Sequence, residues 1–228
     1  MNTRYASVVL DVDSTLCGIE GIDLLAHRRG DELGRRIEAL TDRAMRGELP
    51  LDRVYGDRLA LIQPAMEDIE ALQRAYADAL APGATDAIRS MRAAGVRLTL
   101  VSGGIRQAIQ PLATSLGFAD DELHAVALSF DEHGRYHGYD TSSPLATQRG
   151  KEQIVEALLA AGFPRPLLAV GDGSTDVFMR ESADAFAAFV GFARRESVVS
   201  RADVVLTSFA QLSELVLGEP TERKLRSR

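Results

Sequence analysis

Val8-Val9-Leu10-Asp11-Val12-Asp13-Ser14-Thr15 and Leu167-Leu168-Ala169-Val170-Gly171-Asp172-Gly173-Ser174-Thr175-Asp176 share one arrangement: a short apolar run that ends in clustered carboxylates. A run of about four apolar residues bounded by Gly and Asp is the pattern of a buried parallel strand. In open α/β sheets, ligands sit outside the carboxyl ends of such strands, and both clusters fall there. The two read as one site. Carboxylates gathered with few His or Cys nearby favour a hard cation such as Mg²⁺.

Around these clusters the chain is ordinary. Its 228 residues suit one domain with an insert or two small domains. Apolar residues make up 46% and charged residues 26%, which fits a soluble globular protein with a sizeable core. A net charge of −7 argues against a nucleic-acid or anionic-membrane partner. It leaves an anionic small-molecule substrate open, because a metal and a few cations reverse the field inside a cleft. Cys17 is the single cysteine, so no intrachain disulfide forms and a reducing cytoplasm is the expected setting. The opening Met1-Asn2-Thr3-Arg4-Tyr5 has no signal-peptide character, and no run approaches the ~20 apolar residues of a membrane span.

Strand-like and helix-like segments alternate, which indicates an α/β architecture. Leu33, Ile37 and Leu40 recur at helical spacing, as do Ile69, Leu72 and Tyr76, with no convincing strand between Cys17 and Ala79. Ala81-Pro82-Gly83 punctuates the chain. Ala84, Ala87, Ile88 and Met91 then mark a helix closed by Gly95. Val96 to Val101 reads as a strand, Ser102-Gly103-Gly104 as the turn after it, and Ile105 to Leu112 as a helix. Ala125 to Tyr139 reads as a hairpin turning at Asp131-Glu132-His133-Gly134. A helix through Ile154, Val155, Leu158 and Leu159 and strands at Ala185 to Val190 and Val204 to Leu206 complete the pattern. The expected fold is a Rossmann-like parallel sheet with helices on both faces. Residues 1–16 and 80–228 would form this core, and residues 17–79 a helical cap inserted after the first strand. An insert there hangs over the strand ends, where a lid excludes water.

Asp11, read as the last residue of the first strand, can be a nucleophile, a metal ligand or a base. One such aspartate alone is more plainly a turn or cap residue. Asp11 and Asp13 together are harder to dismiss, because strand alternation would aim them the same way. Like charges so close raise one pKa unless a cation compensates, so the pair implies a metal, a retained proton, or both. Ser102-Gly103-Gly104 at a helix start offers a hydroxyl and backbone N–H groups to an anion, or is a plain turn. Lys151 opens a helix, where its charge opposes the helix dipole; a solvated lysine is the plainer reading. Asp172 and Asp176 flank a Gly-Ser-Thr turn that serves either a metal or a helix cap.

In this order along the chain, the four segments resemble the haloacid dehalogenase superfamily of phosphotransferases. The resemblance implies that Asp11 attacks phosphorus to form an aspartyl-phosphate, while Asp13 protonates the leaving oxygen and later activates water. It implies Mg²⁺ held by the Asp11 and Asp172 carboxylates and the Asp13 backbone carbonyl, with Asp176 supporting the metal waters and orienting Lys151. Ser102, the Gly103 N–H and Lys151 would hold the transferring phosphoryl oxygens. Asp13 favours phosphatase or mutase chemistry, since dehalogenases lack this second aspartate and the ion-pumping ATPases carry Thr there.

A closer resemblance, to the phosphoserine phosphatase family, covers most of the chain. It rests on Glu20-Gly21-Ile22-Asp23-Leu24-Leu25-Ala26 after the first cluster and on Ala39 to Pro50. Arg58-Leu59-Ala60-Leu61-Ile62, Phe189-Val190-Gly191-Phe192 and Ala202-Asp203 also match. It implies a Mg²⁺-dependent step in serine biosynthesis with L-phosphoserine as the substrate. Glu20 would accept from the substrate ammonium and Arg58 fork onto its carboxylate, a geometry that suits arginine. Met45 and Leu51 would shield the reacting phosphate, and Thr175 joins the substrate-binding set. Two positions depart from the family. Leu51 stands where an aromatic is common, which bears on the lid and on selectivity, and Ser174 stands where Ala is usual, which should matter little. The alternatives are a phosphatase or phosphotransferase for another small phosphorylated amine or alcohol, and a phosphate-binding module without turnover. Cys17 reads as a small packed residue, and His133 and His137 as solvated turn residues.

Overall fold

The computed structural model describes residues 3–46, 48–49 and 54–218, and of Met45 only the backbone. Leu51 lies outside the described residues. Strand β1 (Ser7–Leu10) is buried along its whole length and leads to four helices: α1 (Gly21–Arg28), α2 (Asp31–Met45), α3 (Tyr55–Ile62) and α4 (Met66–Asp78). Helix α5 (Ala84–Ala93), strand β2 (Arg97–Ile105) and helix α6 (Arg106–Ser115) follow. Then come β3 (Leu123–Val126), β4 (Leu128–Phe130), β5 (Tyr136–Tyr139) and α7 (Gly150–Ala160). The chain continues through β6 (Leu167–Gly171), α8 (Ser174–Val177), β7 (Ala185–Phe189), α9 (Glu196–Val199), β8 (Val204–Leu206) and α10 (Phe209–Leu217).

Six strands form one parallel sheet in the order β3-β2-β1-β6-β7-β8. Apolar runs such as Val8-Val9-Leu10 and Leu167 to Val170 are fully buried, as expected where helices flank a parallel sheet. Register then sets the site. Leu10 lies opposite Leu100 on one side and Val170 on the other, so the carboxyl ends of β1 and β6 sit beside the middle of β2. Asp11 and Asp172 follow directly on β1 and β6, and Ser102 lies within β2, two residues past Leu100. Chain order reverses at β1, which is where such sheets open a crevice.

Helices α1 to α4 pack on one another through α1. The segments that enter and leave this group run together: Gly18 N–H donates to Ala79 O at 2.9 Å and Ala81 N–H to Leu16 O at 2.9 Å. Among the described residues no helix is long and apolar enough to cross a membrane.

Three local readings differ from expectation. Ser102-Gly103-Gly104 is not a turn, because β2 stays extended through Ile105 and α6 starts only at Arg106. Its pairing with β3 shifts register between Val101 and Ile105, an irregularity that the glycines permit without ending the strand. The hairpin is shorter than Ala125 to Tyr139: β4 pairs with β5, whereas Leu123–Val126 joins the main sheet as an edge strand that buries Leu123 and Val126. Finally, β1 ends at Leu10, so Asp11 and Asp13 are not aligned by strand alternation.

Candidate active site

Asp11 N–H still donates to Val170 O at 3.0 Å, which prolongs the ladder by one bond and fixes the side chain over the crevice. The chain then coils tightly. Cys17 N–H returns to Val12 O at 2.9 Å, and Ser14 adopts φ +52°, a left-handed conformation uncommon outside glycine. This coil, and not alternation, brings the Asp13 carboxylate beside Asp11. Tyr76 Oη donates to Asp13 Oδ1 at 2.6 Å and Gly21 N–H to Oδ2 at 3.3 Å. Burial, reinforced by the charge of Glu20, raises the Asp13 pKa to about 7 against these donors. Burial first and Asp176 second also raise Asp11 well above the carboxylate range, with Lys151 opposing them.

Lys151 is only 5% exposed, not a solvated lysine. Its Nζ lies 2.6 Å from Asp11 Oδ1 and 2.6 Å from Asp176 Oδ1. Burial disfavours the ammonium, but Asp11 and then Asp176 outweigh it and hold its pKa above the ordinary lysine value. Two glycines make this placement possible. A Cβ on Gly150 would fall 1.7 Å from Pro144 O, so glycine lets α7 begin against that backbone. A Cβ on Gly171 would fall 2.1 Å from Asp176 Cγ, so glycine lets Asp176 close over the end of β6. Asp176 Oδ2 there accepts from Asp172 N–H at 3.1 Å and Gly173 N–H at 2.8 Å.

Asp172 is reached by Thr15 Oγ1 at 3.1 Å and by the guanidinium of Arg195, whose other nitrogen lies 3.6 Å from Glu20. Oxygens of Asp11, Asp172 and Asp176 lie within 4.8 Å of one another, and among the described residues this is the group able to hold a metal. An all-carboxylate, oxygen-only donor set suits Mg²⁺. Ser102, 1% exposed, accepts from Gly104 N–H at 2.9 Å, and Gly103 and Gly104 also border the site.

A small cavity of about 40 Å³ joins these groups to the helical layer. Asp11, Asp13, Lys151, Asp172 and Thr175 line it from the sheet end, together with Glu20, Asp23, Tyr55 and Arg58 from the helical layer. Arg58 Nη1 donates to Thr41 Oγ1 at 2.7 Å, and the Thr41 hydroxyl donates to Asp23 Oδ1 at 2.5 Å, so Asp23 orients Arg58 through a relay. Burial raises the Asp23 pKa to about 7 against the Thr41 hydrogen bond. Ser14 Oγ donates to Glu20 Oε1 at 2.7 Å. Met45 ends α2, and its side chain, like Leu51, falls outside the description.

Several site residues escaped the sequence reading. Tyr76 sat in the apolar stripe of α4 and looked like core. Asp23, Tyr55 and Arg195 gave no local signal. Ser174 is the reverse case. Expected to matter little, its Oγ donates to Ala44 O in α2 at 2.7 Å and so ties the sheet-end turn to the helical layer. Cys17 is fully buried, its thiol pKa raised by burial and by Asp13 and Asp11, and is therefore inert packing.

Residues 8–181 match the haloacid dehalogenase-like hydrolase family. The chain is 34% identical over 216 residues to a phosphoserine phosphatase of Homo sapiens, covering 95% of this chain and 93% of that one. It is 33% identical over 208 residues to a chloroplastic phosphoserine phosphatase of Arabidopsis thaliana, covering 90% and 70%. Its fold is also that of a phosphoserine phosphohydrolase-like protein from Francisella tularensis, at a TM-score of 0.85 and 24% identity over 92% of this chain and 99% of the other.

Proposed function

The chain belongs to the haloacid dehalogenase-like hydrolases and, within them, to the phosphoserine phosphatases, and on that premise we propose that it hydrolyses O-phospho-L-serine to serine and phosphate through an aspartyl-phosphate on Asp11. The observation that carries this reading is one cavity lined both by Asp11, Asp13, Ser102, Lys151 and Asp172 and by Glu20 and Arg58. A small zwitterion bearing a phosphate would find a partner there for each of its charges.

Asp11 Oδ attacks phosphorus in line with the ester oxygen, and the bond from phosphorus to the serine oxygen breaks. Asp13 gives its proton to that leaving oxygen. A pKa of about 7 lets the same group hold a proton and then accept one near neutral pH. Water next attacks phosphorus, Asp13 takes its proton, and the Asp11–phosphorus bond breaks to release phosphate. Lys151, the Ser102 hydroxyl and the Gly103 N–H hold the phosphoryl oxygens, where positioned positive charge does most of the catalytic work. The Asp11 and Asp172 carboxylates and the Asp13 carbonyl would hold Mg²⁺, with Asp176 behind them and fixing Lys151. When bound, Mg²⁺ supplies charge neutralisation and alignment of the phosphate. Glu20 takes the substrate ammonium, Arg58 its carboxylate, Thr175 borders the phosphate, and Met45 and Leu51 exclude water.

The test is phosphate release from L-phosphoserine with Mg²⁺, beside a panel of small phosphomonoesters with and without acceptor alcohols and an Asp11→Asn control. Phosphoserine should dominate the panel, with Asp11→Asn silent. Turnover of other esters without phosphoserine would keep the chemistry and remove the substrate.

A further inference from the structure

The helical wall of the cavity contains a hydroxyl that the reaction above does not use. Tyr55 lines the cavity at 1% exposure, and its Oη is buried with no hydrogen-bond partner. Buried hydroxyls are almost always paired, so an orphan in a cavity wall calls for a ligand atom. Arg58 stands one turn later on the same helix face, its guanidinium 5.7 Å from the Tyr55 ring centroid. Its Nε is likewise buried and unpartnered, although Nη1 is held by Thr41. Two unsatisfied donors thus share one face of α3. The ring is fixed from outside: Tyr139 packs edge-on against it at 5.3 Å between centroids. The hydroxyl position is therefore set before any ligand arrives.

We propose that Tyr55 is a specificity-determining residue whose hydroxyl donates to the substrate carboxylate beside Arg58, so that the site selects phosphomonoesters bearing a carboxylate. This deepens the phosphoserine reading and rests on it. The carboxylate is the group that fits. The phosphoryl donors Lys151 and Ser102 come from the sheet end and its flanking helix, and the acidic partner for an ammonium is Glu20. What remains on the Tyr55–Arg58 face is a set of donors, which an anionic acceptor with two oxygens satisfies.

Tyr55→Phe tests this, because it keeps the ring against Tyr139 and Arg58 and removes only the hydroxyl. Steady-state constants are measured for L-phosphoserine and for O-phosphoethanolamine, which lacks the carboxylate. Removing one hydrogen bond to a charged group should raise KM for phosphoserine roughly 10-fold or more with kcat nearly unchanged. The phosphoethanolamine constants should stay within about two-fold, below the worth of a single hydrogen bond. Inhibition by the phosphonates L-2-amino-4-phosphonobutyrate and 3-aminopropylphosphonate gives the same comparison if phosphoethanolamine turns over too slowly, with only the first weakened. Equal losses on both members of a pair would overturn the proposal in favour of packing or an ammonium contact, and no loss on either would leave the hydroxyl without a ligand. Wild-type enzyme inactive on phosphoserine would instead remove the substrate reading and this proposal with it.

Discussion

Tyr76 Oη lies 2.6 Å from Asp13 Oδ1, a hydrogen bond between a helix of the inserted layer and the loop after the first strand. Gly21, at the start of α1, supplies the second donor to the same carboxylate. Asp13 is thus held from the layer that covers it. Tyr76→Phe removes the stronger donor and keeps the buried ring. We expect kcat/KM on phosphoserine to fall about 10-fold or more, the worth of a hydrogen bond to a charged group. Unchanged kinetics in a folded variant would show that Gly21 alone positions Asp13.

Lys151 sits between two buried carboxyl groups, 2.6 Å from each. Removing one partner of a buried ion pair costs about 3–5 kcal/mol because the charge left behind has no compensation. Lys151→Met should lower the urea unfolding free energy at pH 7 by that order and abolish turnover. A variant that is inactive yet as stable as wild type would mean that Asp11 and Asp176 find other cations, and the ion triad would then be catalytic without being structural.

How far the sequence could be read follows from which signals are local. The strands Val8 to Leu10 and Leu167 to Val170 were legible because burial on both faces leaves an unbroken apolar run. Ser102-Gly103-Gly104 was misread because glycine usually ends a strand, whereas β2 resumes its pairing with β3 at Ile105, beyond the glycines. Lys151 looked like a surface residue until a family resemblance placed it, since its partners lie far away in sequence. Tyr55, Tyr76, Asp23 and Arg195 are tertiary facts: each enters the site from an element whose own pattern says only helix, core or surface charge.

The carboxylates of Asp11, Asp172 and Asp176 crowd within 4.8 Å, so a divalent cation should stabilise the fold as well as serve the reaction. A ligand at about 100 times its Kd adds about 2.7 kcal/mol, which for a chain of this size raises Tm by roughly 5–10 °C. Thermal melts in EDTA and in saturating Mg²⁺ read this without any turnover. Asp172→Asn should lose most of the shift. An identical Tm with and without Mg²⁺ would place the metal elsewhere or nowhere.

Asp23 gives a pH dependence of definite sign. Its pKa is raised by burial from 3.8 to about 7, so between those values the folded chain keeps a proton that the unfolded chain releases. This contribution is complete below pH 4 and is lost as pH rises toward 7. Asp23→Asn cannot ionise, so its stability relative to wild type should climb across the window and reach roughly 2–4 kcal/mol by pH 8. Urea unfolding at pH 5 and pH 8 for both proteins isolates the effect, because other buried acids cancel in the difference. A difference independent of pH would mean that Arg58 and Thr41 keep Asp23 ionised throughout.

Ser174 closes the helical layer onto the sheet. Its Oγ donates to Ala44 O at 2.7 Å, and it accepts from Gln148 Nε2 at 3.0 Å. Ala44 lies in the last turn of α2, where carbonyls lack the i+4 N–H of the helix interior, so this hydroxyl supplies a donor there. The bond exists only when α2 rests on α8. Removing it therefore weakens the closed arrangement by about 1 kcal/mol, roughly five-fold in population. Ser174→Ala should raise KM for phosphoserine by that factor and speed amide exchange at the end of α2. The core is untouched, so the unfolding midpoint in urea should barely move. Equal loss of stability and affinity would make Ser174 a general packing residue, and no change in either would mean that solvent replaces the bond without consequence.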